Sequence, residues 1–67
     1  MWSAKIFFFD KYDEYTHEAM HYIPGRDVDA VREFVLKNCW SESPLGIKPI
    51  RACVVFESGE AIMVVKK

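Results

Sequence analysis

The chain lacks the means for several kinds of work. No apolar run approaches the ~18 residues needed to span a bilayer, and Met1-Trp2-Ser3-Ala4-Lys5 runs straight into a strand-like segment without the form of a secretory leader. A cytoplasmic protein with no membrane partner is therefore expected. The two cysteines, Cys39 and Cys53, are too few for a disulfide-stapled scaffold and are not spaced as a zinc knuckle. Reduced thiols are the expectation. Three scattered glycines make no phosphate-cradling loop, so no nucleotide cofactor is expected. With a net charge of −1 there is no positive excess to hold nucleic acid or an anionic membrane, and direct nucleic-acid binding is not expected.

What is present is apolar surface. Half of the 67 residues are hydrophobic and 15% are aromatic. A chain this short buries only about 60% of its unfolded surface, and its core supplies no more than ~3–5 kcal/mol. Some apolar surface is left over, which points to a homodimer or to a partner protein covering one face. Acids are concentrated between Asp10 and Glu33, where Asp10, Asp13, Glu14, Glu18, Asp27, Asp29 and Glu33 outnumber Lys11, Arg26 and Arg32. An ordinary solvated face explains such a stretch; a surface for a basic partner protein is the functional alternative.

Along the chain, Ala4 to Phe9 is aromatic with a β-branched Ile6, which predicts a strand. Asp10 to Glu14 is polar and turn-like. Tyr15 to Ile23 fits two periods. As a helix it aligns Tyr12, Tyr15, Ala19 and Tyr22; as a strand it places Met20 and Tyr22 on one face and Ala19, His21 and Ile23 on the other. The strand is preferred because Phe9 and Thr16 then bracket a hairpin turn, and Pro24-Gly25 ends it. A helix follows, with Asp27 as N-cap, Asp29 in the first turn, and Val28, Val31, Phe34 and Val35 as its apolar stripe. Cys39 to Pro49 is a long connection that Trp40 and Leu45 could fasten to the core or leave free for a partner. Ile50 to Val65 reads as a hairpin about a two-residue Ser58-Gly59 turn, pairing Phe56 with Ala61, Val54 with Met63 and Ala52 with Val65.

One string spells out chemistry: His17-Glu18-Ala19-Met20-His21, which resembles the H-E-x-x-H signature of zincin metallopeptidases. On a helix, residues four apart lie about 6 Å from each other and can share one zinc ion, with the Glu as general base. On a strand they share a face but lie about 13 Å apart, too far for one tetrahedral site. The resemblance covers these five residues, with no second subdomain and no downstream ligand in an extended zincin pattern. A structural zinc on His17, His21, Cys39 and Cys53 is a second metal reading, made of suitable residue types at an unfamiliar spacing.

These observations predict an α+β fold, a single ββαββ domain over residues 1–67 with one helix packed on an antiparallel sheet. The expected core is Ile6, Phe8, Val31, Phe34, Val35, Val54 and Phe56. The expected function is non-enzymatic protein binding, through an uncovered sheet face or through Asp10, Asp13, Glu14 and Glu18, with Trp40 as a further contact. In size and organisation the chain resembles the inhibitors of host defence proteins that phages and mobile elements encode, anti-CRISPR proteins among them. A homodimeric structural module and a zinc protein built on His17 and His21 are the alternatives.

Overall fold

A computed structural model describes residues 1–66. Four antiparallel strands form one sheet: β1 (Trp2–Phe9), β2 (Tyr15–Ile23), β3 (Arg51–Phe56) and β4 (Ala61–Val65), in the order β2-β1-β3-β4. Between β2 and β3 lies the helix α1 (Val28–Phe34), which continues into a π-helical turn, Val35–Cys39. The fold is α+β and has the ββαββ order that the hydrophobic pattern predicts. Among the described residues, no helix is long and apolar enough to cross a membrane.

The Tyr15 to Ile23 segment is a strand. Its hairpin with β1 closes through a three-residue turn: the Asp10 amide donates to the Glu14 carbonyl at 2.9 Å and the Asp13 amide to the Asp10 carbonyl at 3.0 Å. The Asp10 carboxylate fixes this turn by accepting from the amides of Tyr12 and Glu14. Just beyond, the register shifts between Phe8 and Phe9, so that Phe8 faces His17 while Phe9 faces Tyr15. Thr16 is the extra residue, and this bulge changes which side of the sheet Tyr15 occupies.

The second hairpin corrects the predicted pairing. Its turn has three residues, Glu57-Ser58-Gly59, closed by the Phe56 amide on the Glu60 carbonyl and the Gly59 amide on the Phe56 carbonyl, each at 2.9 Å. Gly59 sits at φ +93°, where a glycine carries no steric cost. The added residue slips the register by one, giving Val55–Ala61, Val54–Ile62, Cys53–Met63 and Ala52–Val64. A slip of one exchanges the faces of a strand. Ile62 and Val64 enter the core, while Met63 and Val65 turn to solvent.

The helix covers one face. Asp27 caps it, accepting from the Ala30 amide at 3.2 Å. The stripe that reaches the sheet is Val31, Val35 and Cys39, all buried; Val28 is exposed and Phe34 only half-buried, contrary to the predicted stripe. Residues four apart drift by about 40° per step around an α-helix. The looser i→i+5 turn from Val35 onward absorbs that drift and keeps Cys39 aimed at the sheet. Opposite this stripe lie Ala4, Ile6 and Phe8 of β1, Ala52, Val54 and Phe56 of β3, and Ile62 and Val64 of β4. Apart from Phe34, the predicted core is buried.

Two side chains tie the periphery to this body. Arg26, just before the helix, lies 4.7 Å from the Trp2 ring and 5.5 Å from the Phe56 ring, and pairs with Glu60 and Ser58 of the β3–β4 turn. Arg32 donates from Nε to the Met63 carbonyl at 3.0 Å. The hydrogen-bonded pairs 56/60 and 50/66 bracket β3–β4, so by antiparallel alternation Met63 directs its carbonyl away from β3, to the outer edge of the sheet. Arg32 therefore occupies the middle of the β4 edge.

Candidate functional site

The H-E-x-x-H string lies in the middle of β2. Strand alternation sends His17 and His21 to the helix side, opposite Phe8 and Ala4, and Glu18 to the other side, opposite Phe7. Two histidines separated by Ala19 on a strand cannot share an ion, and the only acid of the string is on the wrong face to serve them. His17 is also committed locally. Its ring stacks on Phe8 with centroids 4.4 Å apart and planes at 6°. Nδ1 lies 2.8 Å from the Thr16 hydroxyl and Nε2 3.0 Å from the Ser41 hydroxyl. Because the Thr16 hydroxyl donates to the Phe8 carbonyl at 3.3 Å, it is left to accept from Nδ1–H, so both ring nitrogens are engaged within the chain.

The four-ligand zinc reading fails on topology. Cys39 is buried beneath the helix, where burial raises its thiol pKa, whereas Cys53 pairs with Phe7 on the opposite sheet face. Both are free thiols. Among the described residues, no three His, Cys, Asp or Glu side chains converge to hold a metal ion.

The acids are dispersed and mostly occupied. Asp10 is spent on its own turn, Asp13 accepts from Arg51 at 2.8 Å, and Glu14 is exposed beside them. Glu18 stands apart on the strand, where it accepts from the Tyr15 hydroxyl at 2.7 Å and pairs with Lys5 at 3.4 Å. The Tyr15 donor, followed by Lys5, holds the Glu18 carboxyl below its ordinary pKa; in return Glu18 raises that of the Tyr15 phenol. Trp40 is half-buried with its ring edge on Phe8 at 5.2 Å and the Lys66 ammonium 5.6 Å from its own ring. It anchors the long connection on the helix side of the sheet. Leu45 does not anchor it, being 87% exposed; buried Ser43 does, accepting from the amides of Leu45 and Ile47.

No protein-family model matches the chain, and neither a curated protein nor a solved structure is significantly similar to it.

The most distinctive surface is the sheet face that the helix leaves open. Neither Trp2 nor the 40–50 connection folds over it, since Trp2 stacks with Arg26 and Trp40 sits on Phe8. Across the strands, in sheet order, this face reads Met20–Lys5–Val55–Ala61, then Glu18–Phe7–Cys53–Met63, then Tyr15–Phe9–Arg51–Val65. Tyr15, Met20, Met63 and Val65 are exposed, as is Tyr22 beyond the first row; Phe7, Phe9, Cys53 and Val55 are half-buried. Four of its charged groups stand in pairs, Lys5 with Glu18 and Arg51 with Asp13, and Glu57 lies at the rim of the hollow beside Phe7, Met20 and Val55. Sequence reasoning anticipated an uncovered face but not the full set of residues that lines it. Their signal was the alternation along β4 and β2, readable only once the hairpin turn length and the Thr16 bulge are known.

Proposed function

We propose that the chain is a small, non-enzymatic protein-binding module of the cytoplasm that presents the open sheet face to a partner protein. One observation carries the reading. A four-stranded sheet has a helix on one side only, and its other side carries the apolar side chains Phe7, Met20, Val55 and Met63 with Lys5, Glu18 and Arg51 set among them. Apolar side chains clustered on an uncovered sheet face of so small a body mark an interaction site. The paired state of Lys5 and Arg51 argues against bases stacking on Phe7 and Phe9, since the cations that would hold a phosphate backbone already sit on carboxylates. An inhibitor of a host protein, of the kind phages encode, would on this reading act through the same face rather than through Asp10, Asp13, Glu14 and Glu18.

Site-specific photocrosslinking in cells tests this. A photoreactive residue in place of Met20, on the open face, is expected to trap a protein. The same residue in place of Glu33, exposed on the helix, is not. Absence of any adduct at Met20 would overturn the reading.

A further inference from the structure

We infer that the groove between α1 and the β4 edge is a second binding site, which takes the C-terminus of a partner peptide that has an apolar last residue and an acid two residues before it. The inference goes beyond the open-face reading, because this groove lies beside the helix.

The backbone of β4 sets where a peptide can lie. The Lys66 amide donates to the Ile50 carbonyl across β3–β4 at 2.9 Å. Alternation therefore turns the amide and carbonyl of Val65 outward, as it does those of Met63. At Met63 the outward carbonyl is taken by Arg32; at Val65 both groups stay open to a partner strand. A strand laid along the edge from the Lys66 end thus meets a guanidinium after one residue pair and has to stop there. The chain end whose charge suits a guanidinium is a carboxylate. A peptide that ends at Arg32 runs antiparallel to β4.

Charge supports the same orientation. Arg32 commits Nε to the Met63 carbonyl, which leaves its terminal nitrogens for an incoming carboxylate. Among the described residues no acid forms an ion pair with Arg32 or with Lys66. Asp29, one turn before Arg32, makes no such pair, and Glu33 is held by Lys37. Glu42 borders the neighbouring hollow with Lys66 without pairing with it. The groove itself is lined by Arg32, Leu36, Val64, Val65 and Lys66, two cations and no acid.

Register then assigns the side chains. Residues directly opposite in an antiparallel pair share a face. With the penultimate residue of the peptide on Val65, its last residue faces Val64 and its third from last faces Lys66. Both positions are on the helix side, where Val64 is buried and the Lys66 ammonium lies 5.6 Å from the Trp40 ring. The groove there holds about 540 Å³, with Val64 as floor and the exposed Leu36 and Val65 as walls. Sites for small ligands hold roughly 300–1,000 Å³. An apolar last side chain fills the groove, its carboxylate meets Arg32, and an acid two residues earlier meets Lys66.

Fluorescence anisotropy of the full chain tests the site. The probe is a fluorescein-labelled hexapeptide that ends in glutamate, serine and leucine with a free carboxylate. Saturable binding is expected, and it should weaken about tenfold or more when the probe carries a C-terminal amide, because a charge-assisted contact is lost. Lys66→Glu alters an exposed side chain. It is expected to reverse the preference, so that a probe with lysine in place of glutamate binds better than the original. Met20→Lys, on the open face, is expected to bind the probe as the wild type does. Equal binding of the acid and the amide overturns the inference, as does absence of saturable binding or an unreversed preference in Lys66→Glu. Displacement of the probe by octanoate as readily as by the unlabelled peptide overturns it in favour of aliphatic acids at large. The photocrosslink at Met20 reads the open face separately, so failure of one site leaves the other standing.

Discussion

Asp13 and Gly59 occupy the same position of the same turn. Each is the third residue of a three-residue connection, each donates its amide to the carbonyl three residues before it, and each has a left-handed backbone, φ 64° and 93°. The two hairpins are thus closed by one device, with glycine in one and aspartate in the other. Aspartate tolerates this conformation better than most residues but still pays for its Cβ.

The comparison Asp13→Gly with Asp13→Ala isolates that cost, because both variants lose the Arg51 pair. The glycine variant is expected to be more stable than the alanine variant by about 1 kcal/mol. Gly59→Ala is expected to lose a similar amount, through backbone strain alone, since no atom lies within 4 Å of the added Cβ. Urea unfolding of the three variants measures this. Equal stabilities of Asp13→Gly and Asp13→Ala would contradict the shared-turn account.

Ser43 holds the long connection. Its hydroxyl accepts from two amides, at 3.3 Å from Leu45 and 3.0 Å from Ile47, and its own amide donates to the Ile47 carbonyl at 3.0 Å. Ser43→Ala is expected to cost about 1 kcal/mol, and so to lower Tm by about 4–8 °C in a chain of this size. Amide exchange at Leu45 and Ile47 should accelerate while that of β1 changes only with global stability. Unchanged exchange at both positions would show that the hydroxyl does not order the loop.

The Tyr15–Glu18 pair gives a pH signature on the open face. The Tyr15 phenol is raised, chiefly by the hydrogen bond it donates to Glu18. Its contribution to stability is whole below the ordinary tyrosine range and is lost as pH rises through the raised value. The Glu18 carboxyl is lowered, first by Tyr15 and then by Lys5. Its contribution is present above the ordinary carboxylate range and fades as pH falls through the lowered value. In an NMR titration, Glu18→Gln should bring the Tyr15 titration down toward an unperturbed tyrosine, and Tyr15→Phe should raise that of Glu18. An unmoved Tyr15 titration in Glu18→Gln would mean the contact does not persist in solution.

The strands, the helix and its Asp27 cap were legible in the sequence because each depends on neighbours a few residues away. The Tyr15 to Ile23 strand could be separated from a helix only by its setting between a turn and Pro24. What escaped was parity. Ser58-Gly59 looks like a complete turn, and nothing local announces that Glu57 belongs to it; that one residue decides whether Met63 or Val64 enters the core. Thr16 hides a similar switch, without which Tyr15 would lie beside His17 instead of Glu18. The zinc reading rested on the same ambiguity and ended when alternation put Glu18 on the face away from His17 and His21. Cys39 was missed as a core residue because its alignment depends on a π-helical turn, which an α-helical period does not foresee.

The Arg32 contact with the Met63 carbonyl has a consequence for growth. A sheet with two bare margins can be extended without limit, the β2 margin of one molecule joining the β4 margin of the next until a filament results. With a guanidinium seated at the centre of β4, that head-to-tail addition has no continuous row of acceptors to use. A single arginine, reaching across from the helix, thus blunts the β4 edge against strand addition.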